Sequence, residues 1–232
     1  MLRDPWFLVQ LACALSGFPG ALLYRAYFRY RESLRRRGLP PRNMLTALHL
    51  LGIPTGHVWL VMPWLPQPRL GTDDSVLGMF TAGIAGSGGS GGLGALAAAL
   101  LGLALALHAG VYVVRFMRQN FAVTLADYAA PSTLLRTGIY AELRHPGVVA
   151  MFYLVGGLSM ASGALYTLAM LPLFVVMLWT TTLVEEREVL LPRFGEAYRA
   201  YAREVSGFFC PKSLAGLAVF ACSLGLGLWG RP

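Results

Sequence analysis

Charge is scarce in this chain. Only 13% of its 232 residues are Asp, Glu, Lys or Arg, and 56% are hydrophobic. An average soluble domain carries roughly a quarter charged residues and under half apolar ones. Mean hydropathy is +0.58. A soluble fold of this length cannot bury so much apolar surface, so lipid must be part of the solvent. Cysteine is nearly absent as well. Cys13, Cys210 and Cys222 lie far apart and form no CxxC pair, which argues against a disulfide framework and leaves them as small apolar side chains. The four histidines show no metal-ligand spacing such as HExxH, so no metal site is expected. The net charge is +8, yet no Lys/Arg-rich face is interleaved with aromatics, which excludes a nucleic-acid partner.

What is present is a series of long apolar runs. A helix needs about 20 apolar residues to cross a bilayer core. Candidate spans run over 5–24, 44–64, 93–114, 148–162 and 165–183, the last two joined by a tight turn at 162–164. The stretch 214–229 is short and either spans or lies partly in the interface. The segment 76–84 is too short to span and is expected to rest on the membrane surface. The expected fold is all-α: a polytopic membrane bundle of five to six spans.

Basic residues orient the chain. Sixteen of the 19 Lys and Arg fall in the loops after the first, third and fifth spans. The positive-inside rule places those loops in the cytoplasm. The arginine-rich stretch 25–42 faces anionic headgroups under this topology. A literal GxGxxG occurs at Gly86, Gly88 and Gly91. It carries no dinucleotide meaning without a strand before it and a βα unit around it, so 85–92 reads as a flexible linker. The pairs Gly156-Gly157 and Ser162-Gly163 permit close helix packing.

Polar residues concentrate in two cytoplasmic segments, 131–146 and 180–211, which with Asp127 just upstream hold seven of the 11 acids. Acids beside hydrocarbon are costly and therefore functional candidates. Glu185 and Glu186 close the fifth span. On a helix Glu186 shares a face with Thr182, while Glu185 points about 100° away. They read either as a solvated helix end or as ligands for a cationic or hydroxyl-rich group. Pro146 suits the first turn of a helix, where its missing N–H costs nothing. The bland reading of Arg144-His145 beside it is a headgroup contact and a helix cap. Phe194, Tyr198, Tyr201 and Val205 recur at helical spacing and predict one amphipathic helix after Pro192, placed to cover a ligand site.

Gly138-Ile139-Tyr140 followed by Arg144-His145-Pro146 resembles the GxYxxxRHP signature of isoprenylcysteine carboxyl methyltransferases and phospholipid methyltransferases. Glu185-Glu186, Leu190, Phe194-Gly195, Tyr198 and Tyr201 resemble the EExxxLxxxFGxxYxxY signature of the same superfamily. The resemblance covers roughly 115–211. It divides the chain into N-terminal spans over 1–114, a methyltransferase-like core over 115–211 and a C-terminal apolar segment over 212–232. It implies a helical membrane enzyme, by the same resemblance of a bacterial inner membrane, with a cytoplasmic pocket for S-adenosylmethionine. By position, Gln119, Leu134, Leu135, Tyr140, His145, Pro146, Glu186 and Tyr198 would bind that cofactor. Arg144 and Glu185 would be catalytic, and Thr182 would face the substrate. The partner implied is a lipophilic acceptor arriving from the bilayer: a prenylcysteine-like carboxylate, a phospholipid amine, or another small amine, thiol or hydroxyl.

One departure bears on the acceptor. Thr182 stands where the prenylcysteine enzymes resemble one another in having an arginine, and a threonine cannot neutralise a carboxylate. Two other readings are compatible with the motifs. A membrane sterol-type reductase would use NADPH and should show more basic residues in these segments. A transporter or scaffold would show an internal repeat or polar residues at mid-span, and neither is seen.

Overall fold

The computed structural model describes residues 3–39, 57–70, 75–84, 89–124 and 131–229. Among them there are helices and turns and no strand. The first helix, α1 (Pro5–Arg36), starts where the sequence supplies both a cap and a stiff first residue. The Asp4 carboxylate accepts from the Trp6 N–H at 2.8 Å, and Pro5 takes the first helical position. After a 3-10 turn at Met62–Trp64 come α2 (Gly78–Ile84), α3 (Gly89–Thr124), α4 (Pro146–Ala161) and α5 (Leu165–Glu185). The chain continues from α5 through a π turn (Glu186–Leu190) and a last helical turn (Leu191–Phe194). It then enters α6 (Glu196–Glu204) and α7 (Pro211–Trp229).

Among the described residues, four helices are long and apolar enough to cross a membrane: α1, α3, α5 with its extension, and α7. No more than a third of the apolar stretch in any of them is buried inside the protein. Leu22, Leu93, Leu107 and Leu228 are more than half exposed. Such surfaces are tolerable only against hydrocarbon chains. At 16 residues, α4 is apolar but only about 24 Å long, shorter than a ~30 Å core. Most of the expected span over 44–64 lies outside the described residues, as do Asp127 and residues 85–88.

Three expectations change. The glycine-rich stretch is helical from Gly89 onward, because the Ala/Leu-rich run that follows propagates helix back into it. The segment 76–84 does more than rest on a surface: Met79 of α2 is 1% exposed and inserts beneath the turn at Gly163, among Leu70, Ala95, Ala98 and Met160. The tyrosine stripe is not one helix, since Gly195 at φ +53° ends the first turn at Phe194 and restarts the chain as α6.

The bundle is stitched at the end away from the site by buried polar groups. Arg69 is 4% exposed and donates to the carbonyls of Pro63 (3.0 Å) and Ser162 (2.8 Å). The Gln67 side-chain oxygen accepts from the Tyr166 and Thr167 N–H groups at 2.9 and 3.1 Å. The 57–70 segment thus caps the α4–α5 hairpin, where an α-helix leaves its last carbonyls and first N–H groups without internal partners.

The crossing of α3 and α4 is tight. A Cβ on Gly157 would lie 2.6 Å from the Gly102 carbonyl oxygen and 2.7 Å from the Ala106 nitrogen, both backbone atoms that cannot step aside. Gly157→Ala is therefore expected to cost about 1–3 kcal/mol by overpacking. Thermal unfolding in detergent would read this as a drop of several degrees. An unchanged melting temperature would show that the helices can separate at no cost.

Candidate cofactor cleft

The cleft lies at the end of the bundle where α3 and α5 finish and α4 and α7 begin. Proline fixes its rim. Pro146 sits at the first position of α4, with His145 before it at φ −122° and ψ 58°. That geometry is non-helical, as a residue preceding proline prefers. No side-chain cap bond comes from His145, so its ring is left for other work. Upstream, the chain turns at Gly138, φ +62°, where a Cβ would overlap the Gln119 amide.

The Arg144-His145 backbone is laced to the connector after α6. The Arg144 N–H donates to Ser206 O at 2.9 Å, the His145 N–H to Gly207 O at 3.2 Å, and Arg144 Nε to Val205 O at 2.9 Å. Tyr201 Oη donates to the Tyr140 carbonyl at 2.6 Å. Burial pushes the Tyr201 hydroxyl up to about 12, so it remains a donor throughout the neutral range. Tyr140 and Tyr198 are raised further still, burial being the largest cause in both.

Glu186 stands at the centre of a three-donor knot. Its Oε1 accepts from Arg144 Nη1 (2.6 Å), His145 Nε2 (2.8 Å) and Tyr198 Oη (2.7 Å). An ionised carboxylate only accepts, so His145 Nε2 carries a hydrogen. Glu185 takes the other side of the same ring: its Oε2 lies 3.9 Å from His145 Nδ1, beyond hydrogen-bonding distance. Phe208 stacks on the imidazole with centroids 5.7 Å apart, and Trp179 stacks on Phe208 at 5.2 Å.

The cleft bounded by these groups has a volume of about 230 Å³. Of the residues expected to serve it, Leu134, Leu135, Tyr140, Arg144, His145, Pro146, Glu185 and Tyr198 line it. Glu186 stands behind that lining, engaged with its three donors. Gln119 lies beneath Gly138; its Oε1 is buried without a hydrogen-bond partner among the described residues, while its neighbours Phe116 and Asn120 reach the cleft. Thr182 is buried and its hydroxyl donates to Leu178 O at 2.9 Å, so Leu178 and not Thr182 meets the cavity. Met151 and Val148 were not singled out from the sequence, although each lies within a turn or two of Pro146 on α4. Lining positions on α3 had a weaker signal still, because no motif marks them.

The cleft has a polar rim of Arg144, Glu185, Tyr140 and Tyr198 and an apolar wall of Val148, Met151, Leu178 and Val189. A site with both characters suits a ligand that is charged at one end and an acceptor that is not. Residues 96–197, from the first third of α3 to the start of α6, match the family model for phospholipid methyltransferase. No curated protein and no solved structure matches the chain. The cleft is built almost wholly from the matched segment, and with its two signatures the chain is similar to the isoprenylcysteine carboxyl methyltransferase and phospholipid methyltransferase superfamily of membrane methyltransferases over that segment.

Proposed function

We propose that this chain transfers a methyl group from S-adenosylmethionine to a lipophilic amine, with a phospholipid amine as the favoured acceptor. The observation carrying this reading is the juxtaposition of Glu185 and Arg144 with the apolar wall of Met151 and Leu178 in one cleft.

The residues fit the cofactor's chemistry. Glu185 is a carboxylate that lines the cleft with no hydrogen bond from His145, suited to an ammonium or to ribose hydroxyls. Arg144 suits a carboxylate. Phe116 and Tyr140, with ring centroids 6.4 Å apart, offer flat surfaces to an adenine ring. When bound, S-adenosylmethionine supplies an electrophilic methyl group whose departure leaves a neutral thioether. The protein's contribution is alignment and exclusion of water, the effects that dominate a direct displacement. An attacking amine must be neutral, and it loses a proton as it is methylated. Glu185 and His145 Nδ1 both lie where they can hold that proton.

Thr182 bears on the acceptor. With its hydroxyl turned to the Leu178 carbonyl, the apolar wall presents no cation to a substrate carboxylate. This supports an amine over a prenylcysteine. The active site then faces the cytoplasm by the distribution of basic residues.

Equilibrium binding of S-adenosylmethionine to the purified protein in detergent tests the reading. Saturable binding is expected, followed by methyl transfer to phosphatidylethanolamine vesicles and not to farnesylcysteine. Binding of NADPH with none of S-adenosylmethionine would replace the reading with a reductase.

A further inference from the structure

The two glutamates that shape the cleft stand at the start of a π turn, which carries one residue more per turn than an α-helix. Such turns occur mostly as single insertions and often at functional sites. The Leu191 N–H reaches back to the Glu186 carbonyl, five residues away. The wider turn sends Glu185, Val189 and Leu190 to the cleft, Glu186 to Arg144, and Glu188 to the far side, against α1. Pro192 supplies a local cause for the widening, since in a regular α-helix it could not bond the Glu188 carbonyl and its ring would crowd it. Where the widened turn points its side chains is set by what packs against it.

On that far side, Glu188 Oε1 is met by Arg25 Nε at 2.9 Å and Arg29 Nε at 3.1 Å. The two arginines are one helical turn apart on α1, and Glu188 is only 17% exposed between them. Tyr27 and Phe28 of the same turn of α1 are buried against Val189, within the π turn, and Val184 just before it. Charge and packing therefore grip the same five residues. Arg25, Arg29, Tyr27 and Phe28 all lie outside 96–197, in a part of the chain that carries no signature.

We propose that Glu188 is a positioning residue. Clamped by Arg25 and Arg29, it holds the π turn in the register that aims Glu185 into the cleft and Glu186 onto Arg144, and so makes α1 part of the functional unit. The effect on binding rests on the methyltransferase reading; the effect on the turn does not. Exposed ion pairs add little to global stability, so the clamp acts on geometry and not on melting.

Three proteins test this: Glu188→Gln, the double variant Arg25→Gln/Arg29→Gln, and the charge exchange Glu188→Arg with Arg25→Glu. Glu32→Gln, which removes a similarly accessible ion pair on α1 with Arg35 and Arg36, is the control. Amide hydrogen exchange is measured first, without ligand. Faster exchange confined to 186–190 is expected in the first two variants, with partial recovery in the charge exchange and no change in the control. S-adenosylmethionine affinity should fall about tenfold in the first two, while their melting temperatures stay near that of the parent. Unchanged exchange at 186–190 overturns the clamp. Altered exchange with unaltered affinity overturns its role in the site. If the parent itself binds no S-adenosylmethionine, the functional reading fails, while the exchange result still decides whether the clamp exists.

Discussion

Glu186→Ala is expected to unfold the site end of the bundle more readily than any other single change there. The substitution removes one oxygen that three donors share; it leaves Arg144, 18% exposed, without its counter-charge and the His145 Nε2–H, in a side chain 4% exposed, without its acceptor. Stranding these part-buried donors costs about 2–4 kcal/mol, which for a chain of this size is roughly 5–15 °C in melting temperature. Tyr198→Phe removes one of the three hydrogen bonds and should cost about 1 kcal/mol. The double variant Arg144→Ala/Glu186→Ala should cost less than the sum of its parts, because the second deletion relieves the charge stranded by the first. Thermal unfolding in detergent, without ligand, reads all three. Additive losses would mean that the knot is not one unit, and a negligible loss for Glu186→Ala would mean that its carboxylate works elsewhere.

Glu185→Gln should do the reverse. Its side chain is 32% exposed, lines the cleft and accepts no hydrogen bond from His145. The amide keeps the size and loses the charge, so the fold should melt at or slightly above the parent temperature. Binding of S-adenosylmethionine should weaken by roughly 10- to 100-fold, the range for losing a hydrogen bond to a charged group. Titration calorimetry at a temperature well below unfolding checks this. If Glu185→Gln binds normally, the cofactor's amine and ribose are held by other groups. If binding weakens as expected, the two adjacent carboxylates separate by function: one whose loss is felt in stability, the other in affinity.

The sequence foretold the membrane part of the fold because hydrocarbon imposes a strict demand. A run of apolar residues about 20 long has few other uses, and α3, α5 and α7 each fulfil it. Pro146 likewise announced the start of α4. Helical geometry sent Glu185 and Glu186 in different directions, and they do take different partners. What periodicity could not convey is that both converge on opposite nitrogens of one imidazole. That depends on where α4 meets α5, a tertiary fact with no local signature. The lacing of Arg144 to 205–207 was hidden for the same reason, being made by backbone groups sixty residues away. Gly195 was visible as a glycine, but its left-handed φ, which splits the tyrosine stripe, was not. The π turn left one local trace, Pro192, which cannot bond the Glu188 carbonyl in a regular helix; Glu-Arg-Glu-Val-Leu by itself is an ordinary helical sequence.

Arg69 and Gln67 carry a consequence for how such a chain is made. The Ser162 carbonyl that Arg69 meets lies 93 residues downstream, and the Tyr166 and Thr167 amides that Gln67 meets lie about a hundred downstream. During synthesis these two polar side chains exist long before their partners. A guanidinium left in an apolar surrounding is strongly disfavoured, so the segment around it must remain hydrated at the bilayer edge until the α4–α5 hairpin has been inserted. The far end of the bundle therefore cannot close before the hairpin is made, and a ribosome stalled before the hairpin would hold a half-built protein whose first helices have no lock.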